Sequence, residues 1–222
     1  MLIMSGRRRH RYVNRLLLIH SNSTDGSQVF QDSSNIRHTI VAGGHVHHEV
    51  DQKYFGATSI HFDGTTDTLR VTDTDADWAF GTGDFTIDMW IRVDLTASRG
   101  IIGNGYNTNN IWHLRVTDAG VLTFSYGSGL GYNGGTAAIV ANTWTHIAIE
   151  RHGNSLDFYA NGTKGTTRDL TGIDFSGLAD LYIGNGFGGP NDYLGYMDEI
   201  RILNTADYGG ANFTPEPSPY AS

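Results

Sequence analysis

The sequence contains no cysteine and only four prolines, and it has no long apolar run. The missing cysteines exclude disulfides and a thiol nucleophile, but they leave the cellular compartment open. No apolar stretch approaches the ~18 residues that a membrane-spanning helix needs. The run that follows the N-terminal arginines, Leu16–Ile19, is too short for the core of a signal peptide. We therefore expect neither a membrane span nor secretion by this route.

Sequence motifs for catalysis are also missing. There is no Gly-x-Ser-x-Gly nucleophile motif. No strand-like segment carries carboxylates spaced as Glu-x-Asp-x-x-Glu, the arrangement of a jelly-roll glycosidase whose paired acids cleave the sugar bond. Asp198 and Glu199 are adjacent, so strict alternation sends them to opposite faces of a strand. The sequence therefore predicts a protein that is not an enzyme.

Charge is distributed unevenly along the 222 residues, whose net charge is −8. Residues 1–20 hold five arginines and no acid, which leaves 10 basic and 23 acidic residues in the remainder. An acidic body is a poor general ligand for nucleic acid, so we expect no direct nucleic-acid binding. We expect the arm instead to dock on an acidic protein neighbour, the alternatives being a nucleic-acid contact or a disordered tail. The residues assigned to this assembly role are Arg7, Arg8, Arg9 and Arg11.

Alternating segments predict an all-β fold. In Phe85–Val93 apolar side chains occupy every second position, which is typical of a half-buried antiparallel strand. Two further alternating runs flank His152–Ser155, which we interpret as a hairpin turn. These segments predict an antiparallel sandwich of two sheets, of jelly-roll type. The side chains predicted to point inward are Phe85, Ile87, Met89, Ile91, Ile147, Ile149, Leu156, Phe158, Ile200 and Ile202.

The domain organisation follows from composition. Residues 1–11 form the basic N-terminal arm, and residues 12–208 form one jelly-roll domain. Residues 209–222 contain three prolines, which favours an extended C-terminal tail.

Four segments in order resemble the laminin-G-like/concanavalin-A-like jelly-roll family, over roughly residues 13 to 208. They are Phe62–Gly64, Gly81–Trp90, the hairpin that begins at Trp144, and Met197–Ile202. The flanks Leu16–Gly26 and Tyr208–Pro219 resemble those of laminin-G-like domains in tailed-phage structural proteins. The second flank departs from that pattern at Glu216, where a second proline is common.

The resemblance implies a calcium ion, because laminin-G-like domains commonly hold one by oxygen ligands. By resemblance the ligands are Asp32 and Asp198. The alternatives are that Asp32 caps its own turn and that Asp198 pairs with an arginine. A further group has the pattern of a zinc or nickel site, but we interpret it as part of a solvent-facing polar strand: His45, His47, His48 and Glu49.

Three loops rich in Gly, Asn and aromatic residues are candidate ligand-binding segments. Aromatic rings offer flat apolar faces and amides offer paired hydrogen bonds, which suits a sugar and equally a protein partner. The alternative is that these segments are ordinary turns. The candidate binding residues are Tyr106, Asn107, Tyr132, Asn133, Phe187, Asn191, Asp192 and Tyr193.

Together these features predict a non-enzymatic structural protein of a phage virion, either a capsid decoration protein or a tail accessory protein. It would be made in the host bacterial cytoplasm and displayed on the virion surface in many copies beside other virion proteins. Its lectin-like jelly roll would adhere to glycans. The alternative is a free carbohydrate-binding lectin or a module of a glycan-active enzyme.

Overall fold

A computed structural model describes residues 15–72, 76–105, 111–127, 130–134, 138–185 and 191–221, with residues 130–133 described by their backbone. None of these residues is helical. In the described ranges there is accordingly no helix that is long and apolar enough to cross a membrane.

Fifteen strands succeed one another along the described chain. They are β1 (Arg15–Ile19), β2 (Ile40–Gly43), β3 (His47–Glu49), β4 (Ser59–Asp63), β5 (Thr68–Val71), β6 (Phe85–Val93), β7 (Arg99–Gly103), β8 (Trp112–Val116), β9 (Leu122–Tyr126), β10 (Leu130–Asn133), β11 (Thr145–His152), β12 (Ser155–Ala160), β13 (Thr163–Asp169), β14 (Leu181–Ile183) and β15 (Leu194–Leu203).

The strands form two antiparallel sheets. Sheet A has the order β13-β12-β11-β6-β15-β4-β3, and β1 also pairs with β15. Sheet B has the order β10-β9-β8-β7-β14-β5-β2. Strands that are distant in sequence lie side by side in both sheets, as β6 and β15 do. The architecture is the two-sheet sandwich of jelly-roll type that the alternation predicts.

The core lies between the sheets. All ten side chains predicted to point inward are buried, with at most 2% of any of them exposed. Aromatic rings fill one end of the core, where Phe85, Phe124 and Phe175 pack together. Trp112 joins them and donates its indole N–H to the carbonyl of Trp78 at 2.9 Å. The hairpin turn at His152–Ser155 is confirmed by the pairing of its two end residues.

The half-buried character predicted for β6 is wrong. We define the outer face of sheet A as the face that points away from sheet B. Thr86, Asp88 and Trp90 lie on that face, yet Thr86 and Asp88 are fully buried and Trp90 is 7% exposed. Alternation reports which side chains share a face, but it does not report whether another segment covers that face.

The C-terminal tail is one of the covering segments. The backbone N–H of Tyr208 donates to Glu150 Oε2 at 2.5 Å, and the Tyr208 ring stacks on Phe213. Further along, the Tyr220 hydroxyl lies 3.0 Å from His146 Nε2. The tail has no regular strand, as its prolines predict, and it packs on its own sheet.

Three strands have only a weak strand signal in the sequence. They are β2, β10 and β13. The β13 segment alternates between exposed and half-buried positions and contains no large apolar residue, so it lacks the pattern that marks a strand with a buried face. The β10 segment lies between glycines that indicated a loop.

Candidate functional site

A row of half-buried aromatic and basic side chains crosses the outer face of sheet A. Strand pairing places Tyr196 of β15 between Arg92 of β6 and His61 of β4, and His61 opposite His47 of β3. Trp144 immediately precedes Thr145, which pairs with Ile91, so Trp144 lies next to Arg92. We call these five residues the outer row: Trp144, Arg92, Tyr196, His61 and His47.

From Arg92 to His47, successive members of the outer row lie within about 6 Å of one another. The Tyr196 and His61 ring centroids are 4.9 Å apart, and those of His61 and His47 are 5.0 Å apart. The Arg92 guanidinium lies 5.7 Å from the centroid of the Tyr196 ring. Adjacent strands are separated by about 4.8 Å, so the five positions form a strip about 19 Å long. The strip is long enough to contact an extended chain rather than a single small molecule.

Gly195 fixes this register. Its φ of +138° is a conformation that L side chains rarely adopt. A Cβ at this position would meet the carbonyl oxygen of Arg92 at 2.2 Å. A glycine here therefore lets β15 approach β6 closely enough to place Tyr196 beside Arg92.

A second aromatic ring stands beside the strip. Tyr54 stacks on Trp90 with centroids 3.6 Å apart and lies 5.8 Å from Trp144. The backbone of this segment is fixed, because Asp198 Oδ2 accepts hydrogen bonds from the N–H groups of Tyr54 and Phe55. Tyr54 is nevertheless 39% exposed. Tyr54 and Trp144 thus present ordered aromatic surface to solvent at one end of the outer row.

The opposite end of the outer row is polar. His47 Nε2 lies 3.5 Å from Glu49 Oε2. Burial, and then the nearby His47, lower the pKa of His61 below its usual value. A neutral imidazole both donates and accepts hydrogen bonds, so His61 is suited to a hydroxyl group.

The three loops predicted to bind a ligand are described only in part. Tyr106, Asn107 and Phe187 lie outside the described residues, as do Arg7, Arg8, Arg9 and Arg11. Tyr132 and Asn133 belong to the backbone of β10, and therefore to a strand and not to a loop.

The third predicted loop is described from residue 191. Tyr193 is fully buried and donates its hydroxyl to the carbonyl of Tyr196, so its assignment as a ligand contact is wrong. Asp192 Oδ2 accepts the Thr66 N–H at 3.0 Å, and Asn191 accepts the Gly100 N–H through its carbonyl. Asn191 and Asp192 thus tie neighbouring loops together.

The two predicted calcium ligands are engaged by the protein. Asp32 accepts hydrogen bonds from the N–H groups of Leu18, Ser34 and His38 and from the Ser34 hydroxyl, and its Oδ2 lies 2.8 Å from His38 Nδ1. These bonds make Asp32 the centre of its own turn, and its carboxylate does not fit a calcium ligand. Asp198 accepts three backbone N–H groups. Burial raises the pKa of Asp198 to about 7.

Three other side chains lie close enough together to contact one cation. One ligand atom each from His45, Asp63 and Asp67 lie within 4.8 Å of one another. Asp67 also accepts the N–H groups of His45 and Asp63. Asp63 and Asp67 offer the oxygen atoms that calcium prefers, whereas His45 offers a nitrogen.

The neighbouring acids Asp198 and Glu199 both point toward the outer face, and the prediction that they point to opposite faces is wrong. The pairing of β15 with β6 shifts register between Asp198 and Arg201, and Glu199 has a φ of +51°. Such a bulge breaks strict alternation. Glu199 accepts the N–H of Tyr220 in the covering tail and lies 2.7 Å from His20. Both carboxylates are therefore held by bonds within the chain.

The outer row was missed by sequence reasoning because its members come from five separate segments. A signal was present: Arg92 and Trp90 alternate with the core residues of β6, and His61 does the same in β4. Only the strand order reveals that these polar-face residues are neighbours.

The comparisons with known proteins concern both family and fold. Residues 63–206 match the family model of the concanavalin A-like lectin/glucanases superfamily. No curated protein sequence matches the chain.

Solved structures with the same fold include binding domains of toxins and one domain of an arabinanase. The binding domain of Paraclostridial Mosquitocidal Protein 1 has a TM-score of 0.69 and 18% identity, over 87% of this chain and 49% of that one. The binding domain of botulinum neurotoxin serotype G has a TM-score of 0.66 and 13% identity, over 87% and 48%. The chain thus spans about half the length of these toxin domains.

A third solved structure with the same fold is a shorter domain. Domain 4 of AbnA, an extracellular GH43 arabinanase from Geobacillus stearothermophilus solved with arabinotriose, has a TM-score of 0.67 and 19% identity, over 88% of this chain and 95% of that one. Identities this low show a shared fold alone. The family match covers more than half of the sequence and agrees with the two-sheet architecture, so the chain belongs to the concanavalin A-like lectin/glucanases superfamily.

Proposed function

We propose that this chain is a non-enzymatic, lectin-like domain that binds an oligosaccharide along the outer row and is displayed on a phage virion. The observation that supports glycan binding is the outer row itself. Half-buried rings and hydrogen-bonding side chains alternate there over about 19 Å of an otherwise covered sheet face. Rings with one exposed face stack on the apolar side of a sugar, and Arg and His side chains bond its hydroxyls.

A binding role is supported over catalysis by the state of the acids on the same face. Glu150 accepts the Tyr208 and Gly210 N–H groups, and Asp88 pairs with Arg201. These carboxylates are buried and bonded within the chain, so they are poorly placed to attack or protonate a sugar. The toxin structures of similar fold described above are binding domains, and the arabinanase domain was solved in complex with arabinotriose.

The virion setting is supported by the sequence flanks, whose resemblance to tailed-phage structural proteins has no counterpart among the comparisons. In this proposal the basic arm, residues 1–11, attaches many copies of the chain to other virion proteins. The sandwich then presents its outer row outward. A module of a glycan-active enzyme is the second candidate, and the likeness to the arabinanase domain favours it.

Two experiments test the proposal. The purified chain, Trp144→Ala, Tyr54→Ala and the control Leu178→Ala are applied to a glycan array. Leu178 is 73% exposed and lies outside the outer row. We expect selective binding by the chain and the control, with loss in the other two variants; binding that survives both aromatic substitutions contradicts the site.

Mass spectrometry of purified phage particles tests the setting. A fixed ratio of this chain to a capsid or tail protein is expected, and its absence from particles contradicts the virion role.

A further inference from the structure

The partners of Arg92 set it apart from three of the other described arginines. Arg70, Arg99 and Arg201 each form an ion pair with an aspartate. Arg92 donates from Nη1 to the amide oxygen of Asn142 at 3.3 Å and lies over the Tyr196 ring. Within the part of the chain that the structure describes, it has no carboxylate within ion-pair distance.

The position of Arg92 suits an external anion. A guanidinium carries five N–H donors in a planar fork, and Asn142 engages one side of it. The Tyr196 ring and the Asn142 amide hold the group in place, so little side-chain freedom is lost when an anion binds. Trp144, one position along the outer row, supplies a ring next to the same point.

We propose that the ligand of the outer row is an acidic glycan whose carboxylate pairs with Arg92. This inference rests on the proposed function, because it names the class of sugar that the same row binds. A uronic acid and a sialic acid both carry such a carboxylate. The chain has a net charge of −8, which opposes any long-range attraction of an anion. Recognition therefore depends on the local, bidentate bond between the fork and the carboxylate.

The test compares acidic glycans with uncharged counterparts. Trigalacturonate is compared with its methyl ester, and 3′-sialyllactose with lactose, by calorimetric titration of the whole chain. We expect one acidic member to bind at least about tenfold more tightly than its neutral counterpart, as a charge-assisted hydrogen bond predicts. The pair that shows the difference identifies the source of the carboxylate.

Variants then assign the effect to the residue. Arg92→Gln should weaken the acidic glycan more than the neutral one, so that the two Kd values of the variant agree within about twofold, and Arg92→Lys should retain part of the difference. Arg115→Gln is the matched control, because Arg115 is a half-buried arginine on β8 of sheet B. Circular dichroism of each variant checks that it is folded.

The outcomes separate the two proposals. If neutral glycans bind and require Trp144, but the acidic members have no advantage, the acidic ligand is refuted and the lectin-like function stands. If Arg92→Gln weakens acidic and neutral glycans equally, Arg92 is not the carboxylate site. If no glycan binds on the array or in titration, both proposals are refuted.

Discussion

Replacing Arg201 by methionine should destabilise the fold strongly. Arg201 donates two hydrogen bonds to Asp88, from Nε to Oδ1 at 3.0 Å and from Nη2 to Oδ2 at 2.5 Å. Asp88 is fully buried under the C-terminal tail. Burial lowers the pKa of Arg201, but the charge and hydrogen bonds of Asp88 outweigh it and raise that pKa above its usual value.

The magnitude follows from what the substitution leaves behind. Methionine retains much of the apolar volume, but Asp88 then keeps only neutral hydroxyl partners, those of Tyr208 and Tyr220, among the described side chains. Breaking a buried pair from one side costs about 3–5 kcal/mol, because the remaining charge stays buried without compensation. Urea unfolding at pH 7 measures the loss as a change in the free energy of unfolding.

Two controls sharpen this prediction. Arg70→Met breaks the pair with Asp180, in which the Arg70 side chain is 49% exposed, and should cost far less than Arg201→Met because solvent screens the pair. The double variant Arg201→Met with Asp88→Asn should recover part of the loss, because the unpaired charge is gone. If Arg201→Met costs no more than Arg70→Met, the tail does not seal this face and the structural role of the outer-face acids is refuted.

Three further predictions concern pH, metal and attachment. Because the pKa of Asp198 is raised to about 7, its contribution to stability is present below pH ~4 and is lost as pH rises through 7. The difference in free energy of unfolding, Asp198→Asn minus wild type, should therefore rise by about 4 kcal/mol between pH 4 and pH 8. Urea titrations at several pH values measure this difference, and a constant value would contradict the prediction. Calcium should raise the melting temperature and a chelator lower it, with Asp63→Asn abolishing both shifts; identical melting curves with and without the ion would contradict calcium binding at His45, Asp63 and Asp67. Deleting residues 1–11 should leave the melting temperature unchanged but prevent incorporation into particles, and normal occupancy in purified virions would show that the arm is passive.

Much of the fold was predictable because strand periodicity is a local signal. Phe85, Ile87 and Met89 are core residues as predicted, since each side chain of a strand has a fixed face. Burial on the other face was not predictable. Asp88 looks solvent-facing in its own segment, and only the return of Tyr208 to the same sheet makes it buried.

The candidate site was less predictable than the fold, because it depends on strand order. His47 and Tyr196 are about 150 residues apart in sequence, yet both lie next to His61. The bulge at Glu199 was hidden for another reason: a left-handed backbone at a glutamate has no strong sequence signal. The loop residue Tyr193 was misassigned because aromatic residues near glycines occur both at binding surfaces and in cores.

The most direct measurement is a crystal structure of the chain with a bound oligosaccharide selected by the glycan array. The account predicts sugar rings along the outer row, with one ring against Trp144 and Tyr54 and a polar group within hydrogen-bond distance of Arg92. Sugar density over the loops at Thr66 and Asp192, with the outer row empty, would contradict it.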